Sequence, residues 1–503
     1  MNIQLPSNWA HTAQTFAVAS IIVAFVSLIP KIEHRLRLSK IPKLIALTDG
    51  LPEHTFFAQY ATKLYRQGYE KFKDSIYRVS ITGELECILL PTKFLPELRK
   101  KPDDVLDIMS GARKLFEVKY TKHEALDLNM IHCIKANLTP ALGRLNHDIT
   151  EEIDIAFEKE LPPCKDWTDV NVHDKIANIV AQVSGRMFVG PEVCRKPEYI
   201  DHAVNFTTDF NDAVFAVKCC NPWLRPFMTS RLPAMQRFND RIRRAIEFFT
   251  PIILSRMKPE NKSDDMMQWM LDYTLSTGKS NTMYEHVKRQ LDVTFAAIHT
   301  TTTTVVNCLY TLTSMPEYIA PLQEEIRSVR AAHGGELNAQ ALQQLVKLDS
   351  VLKEIGRMYP VTVTAFQHMV MKPFTLSNGQ QIPAGTMIEI PLEALNYDSN
   401  VHTNADKFHG FRYYRERQSA KGTEVAQSQF VSANDRDLYF GYGRHACPGR
   451  FFAANEIKII MARLLLDYEF KMPGDQTKRY EQVSYAKFLT PDTSKTLLMK
   501  RTS

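Results

Sequence analysis

Apolar and polar positions divide the chain into one long apolar run, a series of helical patterns and two short regions that alternate. The run FAVASIIVAFVSLIP, Phe16 to Pro30, carries no charge. Extended back through uncharged residues to Trp9, it reaches about the 20 residues needed to cross a bilayer. A cleaved secretory signal has a basic segment before its apolar run and a small-residue cleavage site after it. Here residues 1–8 contain no Lys or Arg, whereas Lys31, Arg35, Arg37, Lys40 and Lys43 follow the run. Positive charge stays on the cytosolic side. The pattern therefore predicts an uncleaved anchor over 1–30, a basic linker over 31–45 and a cytosolic body over 46–503. No second run is long enough to span, and the triplets starting at Asn137, Asn205 and Asn261 would be silent as glycosylation sites in the cytosol.

Within the body, apolar residues recur at helical spacing around 145–160, 170–187, 198–217, 233–256 and 283–314. The last segment stops before Pro316 and at 1.5 Å per residue predicts a helix about 48 Å long, enough to traverse a domain. Alternation is confined to DSIYRVSITGELECILLP, near 74–91, and FTLSNGQQIPAGTMIEIP, 374–391. Asn378-Gly379 predicts a hairpin whose two central residues both have positive φ. The fold class is mainly α with a smaller β part.

Composition narrows the options. The chain has 503 residues, with no Gly-, Ser- or Pro-rich stretch between two halves and no repeat, so it is one large domain or two fused lobes. Eight cysteines lie scattered without a CxxC pair, which argues against a disulfide framework or a zinc site and for a reducing compartment. A net charge of +6 without a basic block makes no case for nucleic acid; a membrane surface or an acidic protein fits better.

One cysteine stands apart. Cys447 lies in FGYGRHACPGRFFAANEIK, among glycines and beside Arg444, His445 and Arg450, just before a helical pattern from about Gly449 to Asp467. Positive charge and a helix N-terminus both lower a thiol pKa. Gly441, Gly443 and Gly449 let the backbone turn tightly and approach a flat group. A single thiolate suits haem iron better than zinc, which takes three or four protein ligands. The local residues also allow a reactive loop cysteine, or a nucleophile with His445 as its base.

Phe440, Gly443, Cys447 and Gly449 resemble the F-x-x-G-x-R-x-C-x-G signature of the cytochrome P450 family, the haem-thiolate monooxygenases, with His445 in place of the Arg that faces a haem propionate. Three further regions resemble the family in order, so the likeness spans roughly 45–500. KEIGRMYP holds Glu354 and Arg357 of an E-x-x-R, on one helix face. KFHGFRYY resembles the aromatic-Arg segment, with Gly410 for Pro, and brings Arg412 to complete a Glu354–Arg357–Arg412 network. FAAIHTTTTT, mid-way along the long helix, resembles the oxygen-activation motif: Thr300 takes the proton-delivering position, Thr301 follows, Ala297 replaces Gly and His299 replaces an acid. Five consecutive threonines have low helix propensity and suit a helix loosened enough to admit water; His299 can relay protons. The early W-x-x-x-R is missing; Ile131 and Lys135 stand at its positions, and Gln367-His368 where Arg is common. The resemblance thus implies haem b with Cys447 on iron, Phe440 and Gly443 shaping its loop, and Lys135, His368 and His445 as the anchoring set.

It also implies a cytochrome P450 fold over 46–503, anchored in the endoplasmic reticulum membrane. Electrons would come from NADPH through a separate NADPH-cytochrome P450 reductase, with cytochrome b5 as a second donor, since the chain has no GxGxxG; Arg444, Arg450 and Lys458 are its candidate docking face. A pocket built from 108–119, 206–215, 295–300, the strand after Pro360 and the turn 487–489 suits a hydrophobic small molecule with a few oxygens. The likeness is to filamentous-fungal members such as ent-kaurene oxidases and enzymes of terpenoid and indole-alkaloid pathways. Rival readings are a reductase-independent haem-thiolate isomerase or dehydratase, a haem carrier or sensor, and a haem-free cysteine enzyme.

Overall fold

The computed structural model describes residues 9–45, 50–51, 53–81, 85–278, 282–474 and 476–502. Helices form where apolar spacing puts them: Thr139–Glu160, Val172–Val189, Pro197–Cys219, Pro233–Arg256 and Met283–Ser314. Their starts are chemically marked. Asn171 accepts from the Asp174 N–H, Pro197 and Pro233 occupy first turns, and Thr282 and Glu285 close a capping box on the long helix. Each device satisfies or removes an N–H that a helix start leaves bare. The long helix is buried nearly all round in its second half, where Val305, Val306, Leu309 and Leu312 alternate with buried threonines and Asn307, so it forms the axis of the core. Helices Val346–Met358 and Arg450–Asp467 pack into the same apolar cluster through Val351, Leu352, Ile457 and Ile460.

The β part is small. Strands Tyr77–Ile81, Leu85–Leu89, Met387–Ile390, Ala365–Val370 and Leu106–Asp107 form one sheet in that spatial order. Only the pairing of Leu85–Leu89 with Met387–Ile390 is parallel. Leu497–Arg501 lies between Thr168–Val170 and Tyr468–Lys471, and Gln482–Tyr485 pairs with Phe488–Pro491. The hairpin at Asn378-Gly379 exists, between Phe374–Thr375 and Gln381–Ile382, but its turn differs from the expected one. Gly379 has φ +83°, Asn378 does not have positive φ, and the Gly379 N–H donates to the Leu376 carbonyl. This is the three-residue loop with one left-handed glycine, which needs a single positive φ rather than two.

The N-terminal run forms a helix, Trp9–Ser39. Phe16, Val18, Ile21 and Ile22, spread around it, are all exposed. Among the described residues no helix is long and apolar enough to cross a membrane; residues 1–8 of the expected anchor, and the side chains of 9–13, 23–28 and 30, lie outside them. The segment after it is packed down. Leu38, Ile41 and Leu44 are buried, and the Leu44 N–H donates to the Arg78 carbonyl at 2.9 Å while Arg78 N–H donates to Pro42.

Several histidines are buried without charge. Burial, reinforced by Arg241, pulls His202 down from 6.5 to about 4; burial, with Arg357 and Arg412, does the same to His402. Between pH 6.5 and about 4 the unfolded chain therefore binds protons that the folded chain refuses. Stability is full above that window and is lost as pH falls through it. The thermal midpoint should drop steadily over this range, and His202→Phe should flatten the slope; an unchanged midpoint down to pH 4.5 would contradict the assignment.

Candidate active site

The cysteine loop is built by two turns. Gly441, at φ +80°, brings the chain back on itself, so that a Cβ there would sit 3.5 Å from Ala446 Cα. Gly443, at φ +68°, starts a second tight turn in which Ala446 N–H donates to its carbonyl. Cys447 N–H then donates to the Phe440 carbonyl at 2.7 Å, and helix Arg450–Asp467 begins. Phe440 packs on Phe430 and Tyr439, which holds the first end of the loop.

Cys447 is enclosed by protein, and its accessible surface opens into a cavity of about 420 Å³. Burial pushes its thiol pKa up; the N–H groups of Gly449 and Arg450 and the Arg450 guanidinium pull it down, and burial prevails. The sequence suggested a lowered value from three cations. Arg444 instead donates to Asp103 and to the Lys101 carbonyl, both at 2.6 Å, and His445 Nε2 lies 3.1 Å from the same Asp103 oxygen. Only Arg450 of the three acts on the sulfur.

The long helix lines the same cavity with Ala296, Ala297, Thr300 and Thr301. The helix runs unbroken from Met283 to Ser314, so the loosening expected from the threonines does not occur. Their hydroxyls are absorbed inside the helix: Thr300 Oγ1 donates to Ala296 O at 2.9 Å, Thr302 to Ile298 O and Thr304 to Thr300 O. Such back-bonding satisfies the side chain without opening the backbone. His299 lies outside the cavity lining. Its Nε2 meets the Val204 carbonyl at 2.7 Å, which joins the long helix to Pro197–Cys219, and burial lowers its pKa.

The expected anchoring residues surround the cavity unevenly. Lys135 lines it from a π-helical turn, Ile134–Leu138, alongside Ile131. His445 also lines it. His368 lies behind His445, their rings 5.4 Å apart, bordering a small crevice with Arg99 and Arg444. It is stacked on Phe366 and buried, and its Nδ1 has no partner among the described residues. Burial, with repulsion from His445 and Arg444, lowers its pKa to about 4.

Behind the loop, Glu354 is wholly buried. It accepts two bonds from Arg357 at 2.8 and 2.9 Å, two from Arg412 at 3.1 and 3.3 Å, and the His409 N–H at 3.0 Å. Arg357 reaches on to the Asn396 and Ala405 carbonyls, and Arg412 to Thr403. The three residues thus tie helix Val346–Met358 to the segment 396–412. Tyr439, which motif reading passed over, adds a second tie. Its hydroxyl lies 2.8 Å from Thr304 Oγ1, and its ring covers Gly356, where a Cβ would come within 3.0 Å. The sequence signal was available: a glycine inside the E-x-x-R helix marks a close approach. Lys458, expected on a docking face, is instead buried and paired with Asp349 at 2.6 Å.

A second cavity, of about 380 Å³, shares Ile108, Leu126 and Ala296 with the first. All five expected regions contribute to it, through Phe116, Val214, Phe295, Thr364 and Phe488 among others. The first of them is a short helix, Ile108–Leu115, capped by Asp107, rather than a loop.

These features fit a haem. The thiol receives amide N–H groups and faces an open cavity. Among the described residues no three His, Cys, Asp or Glu gather to hold a metal, so Cys447 suits an iron whose other ligands come from a macrocycle. The buried, unpartnered His368 Nδ1 and the adjacent His445 suit a carboxylate at its edge.

A thiol and a threonine-bearing helix lining one cavity, in this mainly helical fold, is the arrangement of haem-thiolate enzymes. The family model described as Cytochrome P450 matches residues 133–499, and the chain belongs to that family. It is a cytochrome P450 monooxygenase. It is 36% identical to cytochrome P450 monooxygenase ATR3 of Stachybotrys chlorohalonatus, over 83% of this chain and 89% of that one. It is 33% identical to cytochrome P450 monooxygenase olcJ of Penicillium canescens, over 99% and 96% of the two chains. The fold resembles that of the retinoic acid bound cyanobacterial CYP120A1, with a TM-score of 0.69 at 15% identity, covering 92% of this chain and 99% of that one.

Proposed function

We propose that this enzyme inserts one oxygen atom of dioxygen into a C–H bond of a hydrophobic small molecule in fungal specialised metabolism, a terpenoid or alkaloid in the first instance. The observation that carries the reading is that Cys447 and Thr300 line one cavity, with the Gly449 and Arg450 N–H groups on the Cys447 sulfur. When bound, haem b would supply reductive activation of dioxygen, which a thiolate ligand such as Cys447 favours. The chain's part is positioning. The Gly449 and Arg450 N–H groups stabilise the thiolate form, since hydrogen bonds to a charged group favour it. Lys135, His445 and, through the crevice behind it, His368 would hold the carboxylate edge. Thr300 and Thr301 keep hydroxyls on the wall of the same cavity, where a proton is needed; His299 stabilises the helix pairing there. The apolar walls of the second cavity place the substrate and exclude water.

Electrons would come from NADPH through NADPH-cytochrome P450 reductase, with cytochrome b5 as an auxiliary donor. Of the expected docking cations, Arg444 is tied to Asp103, Arg450 donates to the Cys447 carbonyl and Lys458 is buried against Asp349. The exposed apolar side chains around helix Trp9–Ser39 support an anchor over 1–30 in the endoplasmic reticulum membrane, with the linker 31–45 and the catalytic domain 46–503 on the cytosolic side. Co-expression with the reductase under heavy-isotope dioxygen, with metabolite profiling, tests the reading. Product carrying one labelled oxygen supports it; an unlabelled product formed without NADPH would indicate an isomerase or dehydratase. Thr300→Ala should leave haem content unchanged while diverting most of the NADPH consumed to hydrogen peroxide, measured as the peroxide-to-NADPH ratio. An unchanged ratio would move the role to Thr301.

A further inference from the structure

We propose that the substrate carries a carbonyl-type oxygen at the end held away from Cys447, and that Lys218 recognises it. This rests on the monooxygenase reading and names the substrate class for the same site. Lys218 lines the second cavity and Cys447 the first. Asn211, Val214, Phe215 and Lys218 are spaced at 3, 1 and 3 residues along helix Pro197–Cys219, so one helix face looks into the cavity and ends in an ammonium.

An ammonium in an apolar wall is costly unless its donors are used. Lys218 has three donors, and its carboxylate partner is Glu117, at 3.4 Å. Glu117 is itself buried, in the left-handed region at φ +51°, just beyond the helix Ile108–Leu115. Several other polar groups of this cavity are engaged elsewhere. Gln367 Nε2 donates to Thr364 Oγ1, Thr362 Oγ1 donates to the Thr364 carbonyl, and the Lys487 ammonium is turned to Glu389. Burial also lowers the Lys218 pKa, with Glu117 opposing, as expected for a cation short of partners. A bare hydrocarbon would enclose this ammonium without giving it an acceptor. A ketone, ester, lactone or carboxylate oxygen would supply one. The skeleton must then have been oxygenated before it arrives, by a carbonyl-forming or carboxylating reaction upstream of this enzyme.

The test uses the haem-loaded full chain and three probes of one skeleton: decalin, decalone and decalin carboxylic acid. Binding is read by calorimetry, which needs neither turnover nor iron. Decalone and the acid should bind roughly tenfold or more tightly than decalin, the effect of a hydrogen bond to a charged donor. Lys218→Met should abolish that preference while leaving decalin binding unchanged, which also shows that the cavity is intact. Lys218→Arg should retain it. Equal binding of all three probes to the native enzyme, or equal weakening of all three by Lys218→Met, overturns the proposal. Loss of the haem-thiolate reading would show separately, in the absorption of the reduced carbon monoxide complex.

Discussion

Cys447→Ala should abolish the thiolate-type Soret band of the reduced carbon monoxide complex, and with it all oxygen insertion. The loop should survive, because the Cys447 N–H bond to Phe440 O and the turns at Gly441 and Gly443 belong to the backbone. What disappears is the one cysteine among the described residues that line the cavity with Thr300. No other cysteine can replace it. Cys219 and Cys220 lie at the end of helix Pro197–Cys219, and Cys87, Cys133, Cys164, Cys194 and Cys308 are buried. Burial pushes the thiol of Cys133 up to about 11 and those of Cys194 and Cys308 to about 12, which holds them protonated. Persistence of the band would place the ligand elsewhere and undo the assignment of the whole site.

Glu354→Ala should be the most damaging change outside the cavity. It leaves the guanidiniums of Arg357 and Arg412 without their shared carboxylate, in a region where Arg357 is 4% exposed. Breaking a buried ion pair by removing one member costs about 3–5 kcal/mol, because the remaining charge stays buried. A surface E-x-x-R pair would be worth about 0–1 kcal/mol. The burial decides between the two, and it was not visible in the motif. The variant should show a strongly lowered thermal midpoint and little bound haem. Glu354→Gln, which keeps acceptor and shape but not charge, should fall between the variant and the native enzyme. A loss of unfolding free energy of no more than about 1 kcal/mol would assign the network to the surface class.

The long helices were legible because their apolar spacing, caps and prolines agree, as at Thr282 and Pro316. The glycines of the cysteine loop were legible for a related reason: positive φ and close approach leave few other residues able to serve. Less could be read of where charged side chains turn. Arg444 and His445 are drawn from the sulfur by Asp103, which is 341 and 342 positions away in sequence. Lys458 looks like a surface cation until its helix is seen to be buried on every side, by Ile457, Ile459, Ile460 and Met461. A helix apolar all round signals that its occasional charge needs an internal partner, here Asp349. His299 is another such case: its ring reaches the Val204 carbonyl on a neighbouring helix, a partner 95 positions away in sequence.

The packing of Leu38, Ile41 and Leu44 onto the sheet means that the N-terminal helix is no free tether. Trimming the chain back to about residue 31 should yield an intact enzyme, whereas trimming past residue 44 removes three side chains from the interior.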